Sequence, residues 1–216
     1  MPRGTRLADI GTDHAYVPIE LVQENIVVSA VAGDVKAGPC QAAKEHVEEL
    51  GLEQKISVRL GNGLDVLSPD EVDVVVIAGM GGKNIVEILN NRCDVTSSLK
   101  RLILQPMVTA ASVRRWLHAN GWCIIDEMLV LDEGKLYEII VAEQGESPAY
   151  EPVMYEIGQK LWDDKSPYLI MHVDQLIALT KRILQEMSVS SNALKSLKYQ
   201  EYSERLKQLE DKRQCL

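Results

Sequence analysis

The run "VDVVVIAGMGG", residues 72–82, constrains the fold more than any other stretch of this chain. It is apolar on both faces of any strand it forms. Such a strand belongs to the middle of a parallel sheet covered by helices on either side, and this one runs out into a tract of glycines. The surrounding segments keep the same alternation. Before the run, Arg6–Gly11 reads as a strand entering a turn, Tyr16–Gln23 as a short helix and "VVSAVAGDV" as a strand ending at Asp34. Gly38–Leu50 follows as an amphipathic helix with Ala42, Ala43, Val47 and Leu50 at helical spacing, and "KISVRLGNG" as a third strand. After the run, Ile85–Leu89 continues as helix, "RLILQP" is a fifth strand and Ala110–Asn120 a helix. The pattern then changes. "CIIDEMLVLDEGKLYEIIVAE" places two long apolar strands around Asp132–Lys135, a hairpin connection with no room for a helix.

"QGESPAYEP", Gln144–Pro152, is polar and proline-bearing and reads as a linker, dividing the chain into residues 1–146 and 147–216. Beyond it the pattern is helical. Val173, Leu176, Ile177, Thr180, Ile183, Leu184 and Met187 form one stripe, "SVSSNA" breaks and re-caps the helix, and Leu194, Leu197, Tyr202, Leu206 and Leu209 mark a second, less regular stripe. Two such helices predict an antiparallel helical hairpin. The net charge of −9 is unevenly spread: residues 1–150 hold 13 Lys+Arg against 22 Asp+Glu, whereas residues 151–216 balance at ten each. Any phosphate contact must therefore come from a local patch. No apolar run reaches the ~18–20 residues of a membrane span and no signal segment leads the chain, so a cytoplasmic protein is expected. The cysteines, Cys40, Cys93, Cys123 and Cys215, are scattered without a CxxC or Cys/His cluster, which predicts reduced thiols and no metal site.

Five βα units closed by an antiparallel hairpin resemble the class I S-adenosylmethionine methyltransferase arrangement, an α/β Rossmann-like sheet, whereas dehydrogenases continue with another βα unit. The turn after strand one, in "LADIGTDHAYVPIEL", supports that choice. Asp9 and Gly11 stand at the carboxyl end of the strand, but a dinucleotide fingerprint needs glycines where this chain has Asp13 and Tyr16. Asp13 would repel a pyrophosphate. S-adenosylmethionine has no phosphate and carries cationic sulfonium and amino groups, so acids in this turn suit it. Asp34 is placed either to accept both ribose hydroxyls or to cap the helix that follows. Asn62 in "GNGL" fits the adenine side of a cofactor or a tight turn equally. "AGMGG", Ala78–Gly82, marks either a close approach of backbone to ligand or a compact helix–sheet contact. His14 alone of the histidines falls on a predicted ligand loop; His46, His118 and His172 are expected at the surface or an interface. Arg114 and Arg115, beside Trp116, are a candidate phosphate patch or simply a solvated helix face. These residues leave open a small-molecule methyltransferase with a helical dimerisation arm, or a catalytically silent RNA-binding module.

Taken together, "LADIGTDHAYVP", "AGDVKAGP", "RLGNGL", "IAGMGG", "LILQP", "RRWL" and "GKLYEII" resemble, in order and spacing, the TrmK family of bacterial tRNA (adenine-22-N1)-methyltransferases. The resemblance runs through residues 3–143 and, more loosely, the helical tail. It implies a class I methyltransferase domain followed by a helical, coiled-coil-like domain, with S-adenosylmethionine as cofactor and tRNA as partner, in a monomer or weak dimer. It implies cofactor contacts at Asp9, Gly11, His14, Asp34, Asn62, Gly63, Ala78, Gly79 and Met80. Asp13 and Tyr16 would face the target base, Asp13 as the catalytic carboxylate, and Gly81, Gln105, Pro106 and Arg114 would meet substrate. Lys181, Arg182, Lys195, Lys198 and Arg205 are expected to grip the tRNA. This chain departs from the family pattern in three places. It has Asp34 where members usually have Glu and Met107 where they usually have Asn. It also starts at Met1-Pro2-Arg3, without a helix before strand one, a loss expected to weaken cofactor or tRNA binding.

Overall fold

The computed structural model describes residues 1–216, the side chain of Ser191 excepted. One seven-stranded sheet runs in the order β3-β2-β1-β4-β5-β7-β6. Its strands are β1 (Thr5–Ile10), β2 (Val27–Asp34), β3 (Ile56–Leu60), β4 (Val74–Gly81), β5 (Arg101–Val108), β6 (Trp122–Asp132) and β7 (Lys135–Gln144). The first five are parallel and β7 runs antiparallel to β5, as expected of the α/β arrangement with a terminal hairpin. Helices α1 (Tyr16–Gln23), α2 (Ala37–Glu49), α3 (Gly82–Asn91), α4 (Cys93–Ser98) and α5 (Ala110–Ala119) fill the connections.

The chain divides into two compact units, Met1–Asp126 with Glu138–Ser147, and Glu127–Tyr137 with Pro148–Leu216. The outer half of the β6–β7 hairpin thus groups with the helical segment. In the first unit, Val74, Val75, Val76 and Ile77 are buried on both faces of β4, each side chain stabilising the fold by about 1.5–3 kcal/mol. Burial stops abruptly at Ala78 and Gly79, which are exposed. At the opposite end, Asp73 fastens three strands. It accepts the Arg6 backbone N–H at 2.9 Å, Arg6 Nε at 3.0 Å and pairs with Lys100 Nζ at 2.9 Å. The Arg6 hydrogen bond, more than any other contact, holds the Asp73 carboxyl well below the usual carboxylate range. Strand order reverses between β2 and β4 on either side of β1, so the carboxyl ends of these strands open a crevice at the switch point.

The second unit is helical: α6 (Met154–Ile157), α7 (Gln159–Asp163), α8 (Leu169–Ser188), α9 (Ser191–Leu194) and α10 (Leu197–Gln214). The predicted stripe of α8 is inward, with Val173 and Thr180 fully buried and Leu176 and Ile177 packed against them. They meet Leu129 and Leu136 of the hairpin and Leu209 of α10. The second predicted stripe holds less well. Leu197 is 77% exposed and Leu194 41%, and only Leu209 reaches the core among the described residues of α10. Polar contacts do more here: Lys181 with Glu210, Arg205 with Glu156 and Arg213 with Asp174 tie the helices at 2.7–2.9 Å. His172, expected at the surface or an interface, is buried, and its Nε2 lies 3.1 Å from the Ile157 carbonyl oxygen. No helix among the described residues is long and apolar enough to cross a membrane.

Candidate active site

The turn after β1 is held from within. Gly11 has φ +83°, a conformation that favours glycine, and its N–H and that of Thr12 both donate to the Gly33 carbonyl of β2, at 2.8 and 3.1 Å. The first two amides, which a phosphate loop would turn outward, are therefore spent on the neighbouring strand. The Thr12 hydroxyl accepts the Ala15 N–H at 3.1 Å and bonds the Asp9 side chain. Asp9 is buried beneath the turn. Loss of water pushes its carboxyl up to about 6, the nearby Asp34 charge acts in the same direction, and the Thr12 bond opposes both.

Above this turn lies a cleft of about 290 Å³. Gly11, Asp34, Asn62, Gly63 and Met80 line it together, although they come from the ends of four different strands. Asp34 Oδ1 accepts the Lys36 N–H at 2.7 Å in a turn before α2, whose N-cap is Lys36 rather than Asp34, and its side chain remains half-exposed to the cleft. A carboxylate has lone pairs for further donors, so this turn contact and ligand binding do not compete. The far wall was not anticipated. Asn84, Glu87, Ile88 and Asn91 recur at i, i+3, i+4 and i+7 along α3, and Val35 follows Asp34. The helical spacing after "AGMGG" was the available signal.

At the end of β4 the glycine tract divides its duties. The Gly79 N–H donates to Gln105 Oε1 at 2.8 Å, and Gln105 Nε2 lies 3.3 Å from the sulfur of Met107. Gln105 thus spends its amide positioning the exposed Ala78–Gly79 segment, with Met107 serving as a soft acceptor. Gly81 pairs with Val108 in the sheet. A β-carbon on Gly82 would collide with the Thr109 carbonyl oxygen, so this glycine serves helix–sheet packing. Pro106, expected to meet substrate, is buried opposite Met80. It is tolerated there because the pairing of β5 with β7 ends at Leu104.

Asp13 and Tyr16 are exposed outside the cleft, and His14 lies between them with Nε2 3.6 Å from Asp13 Oδ2. The rings of His14 and Tyr16 are 5.3 Å apart. His46, expected at the surface or an interface, stands edge-on to Tyr16 at 5.3 Å and places Nδ1 3.0 Å from the His14 carbonyl oxygen. Arg114 requires correction. Its side chain is 1% exposed and donates to Glu138 Oε2 at 2.6 Å, so it faces the interior and offers no phosphate patch. Arg115 beside it is exposed.

A parallel sheet reversed at β1 and closed by an antiparallel hairpin, with acids rather than free amides at its switch point, is a Rossmann-like fold whose crevice suits a phosphate-free ligand. Residues 7–211 match the TrmK family model, tRNA (adenine(22)-N(1))-methyltransferase. The tRNA (adenine(22)-N(1))-methyltransferase of Bacillus subtilis (strain 168) is 35% identical over 221 residues, covering 100% of this chain and 90% of the relative. The structure of Streptococcus pneumoniae Sp1610 in complex with S-adenosyl-L-methionine superposes with a TM-score of 0.81 at 37% identity, covering 95% of this chain and 94% of that one. M. capricolum TrmK in complex with S-adenosyl-homocysteine gives 0.85 at 28% identity, covering 99% and 93%. The chain belongs to the TrmK family.

Proposed function

We propose that the cleft over β1–β4 binds S-adenosylmethionine and that Asp13, two residues past the cleft-lining Gly11, holds the adenine to be methylated. The reaction is that of the family: methyl transfer from S-adenosylmethionine to N1 of adenine 22 in tRNA. The observation that carries the cleft assignment is the use of the Gly11 and Thr12 amides by Gly33 while Asp9 and Asp34 stand close by. That setting rejects a pyrophosphate and suits a phosphate-free, cationic ligand. When bound, S-adenosylmethionine supplies an electrophilic methyl group.

The protein's task is then positioning. Adenine N1 carries an in-plane lone pair at neutral pH and needs no base to expose it, so alignment of the two partners contributes most of the acceleration. The Asp13 carboxylate accepts a hydrogen bond from the exocyclic amino group and stabilises the positive charge that spreads over the ring as N1 is alkylated. Asp34 accepts from the ribose hydroxyls, and Asn62 and Gly63 border the cofactor's adenine. Tyr16 offers its exposed ring to the target base, which must leave its stack at a cost of a few kcal/mol. Residues 1–146 carry this chemistry, and the helical residues 147–216 carry much of the grip on tRNA.

Calorimetric titration with S-adenosylhomocysteine, followed by methyl transfer to unmodified tRNA and mass mapping, tests the assignment. Binding together with 1-methyladenosine at position 22 is expected. No binding would overturn the cleft assignment. A hydrogen bond to a charged group is worth about 1.5–3 kcal/mol, so Asp13→Asn should slow transfer roughly 10–100-fold with little loss of cofactor affinity. Full activity in that variant would remove Asp13 from the reaction.

A further inference from the structure

His46 belongs to α2, yet it is bonded to a turn 32 residues earlier in the chain. The turn needs holding. Ala15 has φ +55° and is fully buried, a left-handed conformation that costs an alanine roughly 1–2 kcal/mol. The peptide carbonyl just before it, that of His14, meets His46 Nδ1 at 3.0 Å. The same imidazole is edge-on to Tyr16, whose side of the turn is otherwise exposed. Two residues flanking His46 on α2, Ala43 and Val47, are buried in the same core as Ala15, so the helix that presents the imidazole is itself fixed.

We propose that His46 is a positioning residue for methyl transfer, holding the His14–Ala15 peptide and the Tyr16 ring so that Asp13 and Tyr16 face the target adenine. Its Nδ1–H donates to the His14 carbonyl, and its ring edge sets the angle at which Tyr16 meets a base. The inference rests on the assignment of Asp13 to that base. His46 touches neither substrate in this role; it acts through Asp13 and Tyr16.

The experiment measures single-turnover methyl transfer to tRNA at saturating cofactor, alongside S-adenosylhomocysteine affinity, for His46→Ala, His46→Gln, Asp13→Asn and the Asp13→Asn/His46→Ala pair. The expected result is a rate about tenfold lower in His46→Ala with cofactor affinity within twofold of the parent, as suits loss of one hydrogen bond. His46→Gln, which retains an N–H donor, should recover most of the rate. In the Asp13→Asn background, His46→Ala should cost less than it does in the parent, because the part of its effect that runs through Asp13 is already gone and only the part through Tyr16 remains. If the alanine variant fails to fold, His46→Leu, which keeps bulk without a donor, takes its place. A parental rate in His46→Ala, or losses that multiply fully in the pair, would overturn the proposal. Full activity of Asp13→Asn alone would instead sink the assignment of Asp13 on which it rests.

Discussion

The terminal methyl of Met80 lies over Gly11, in the volume that a β-carbon on Gly11 would fill. Both residues line the cleft, so the thioether forms part of its floor. An alanine at position 11 meets two obstacles: a φ of +83°, which costs roughly 1–2 kcal/mol for any residue with a β-carbon, and the displaced Met80. Gly11→Ala should weaken S-adenosylhomocysteine binding at least tenfold by calorimetry. Adding Met80→Ala should restore part of that affinity by removing the collision while leaving the backbone cost. Unchanged affinity in the single variant would place the ligand away from Gly11.

Asp9 gives a pH signature. Its carboxyl is raised from 3.8 to about 6 by burial, so the folded protein holds that proton more tightly than the unfolded chain. Its contribution to stability is therefore complete below pH ~4 and is lost as pH rises through about 6, a loss on the order of 3 kcal/mol by pH 8. Asp9→Asn removes the charge and should raise stability by a few kcal/mol at pH 8 but by almost nothing at pH 4. Urea unfolding at the two pH values is the measurement. A stabilisation that does not change with pH would mean that the Asp9 carboxylate is not desolvated.

Sequence patterns were legible where local periodicity decides structure. The apolar run of β4, the Tyr16–Gln23 helix, the terminal hairpin and the inward stripe of α8 follow from spacing alone. So did the cleft residues at strand ends, because a parallel sheet brings those ends together whatever lies between them. Partners distant in the chain were not legible. Helical spacing with Ala110, Val113 and Leu117 puts Arg114 rather than Arg115 on the inner face of α5, but its partner Glu138, 24 residues later, cannot be read from that spacing. The spacing of "AGMGG" left Gly82 open between a ligand and a helix–sheet contact until Thr109 came against it, and His46 became part of the turn only through the packing of α2. In α10 the apolar pattern is so sparse that ion pairs, rather than a stripe, fix which face turns inward.

The Arg114–Glu138 pair carries a stability prediction. Removing one member of a buried pair strands the other charge, typically at about 3–5 kcal/mol. Arg114→Ala should lose that much in denaturant unfolding at pH 7, while the fraction that remains folded binds tRNA as tightly as the parent. Arg115→Ala, at an exposed site, should leave stability within about 0.5 kcal/mol of the parent. A tRNA affinity that falls in Arg114→Ala without loss of stability would return Arg114 to the substrate surface.

The five basic residues expected to grip tRNA divide by their partners. Lys181 is paired with Glu210 at 2.7 Å, Arg205 with Glu156 at 2.9 Å and Arg182 with Glu186 at 3.8 Å. Lys195 and Lys198 are exposed and take part in none of these pairs, and Val189 and Leu197 project beside them in the chain, 88% and 77% exposed. A cation already neutralised by a carboxylate displaces few counterions from a phosphate, whereas each exposed one that docks changes the salt slope of log Kd by roughly 0.7–0.9. Lys195→Ala/Lys198→Ala should therefore flatten that slope by roughly 1.5 and weaken tRNA binding severalfold at moderate salt, with S-adenosylhomocysteine affinity unchanged. Lys181→Ala should alter the slope by much less. Filter binding or fluorescence titration across a salt series distinguishes the two, and an equal slope change in both variants would mean that the Lys181–Glu210 pair opens to meet the RNA.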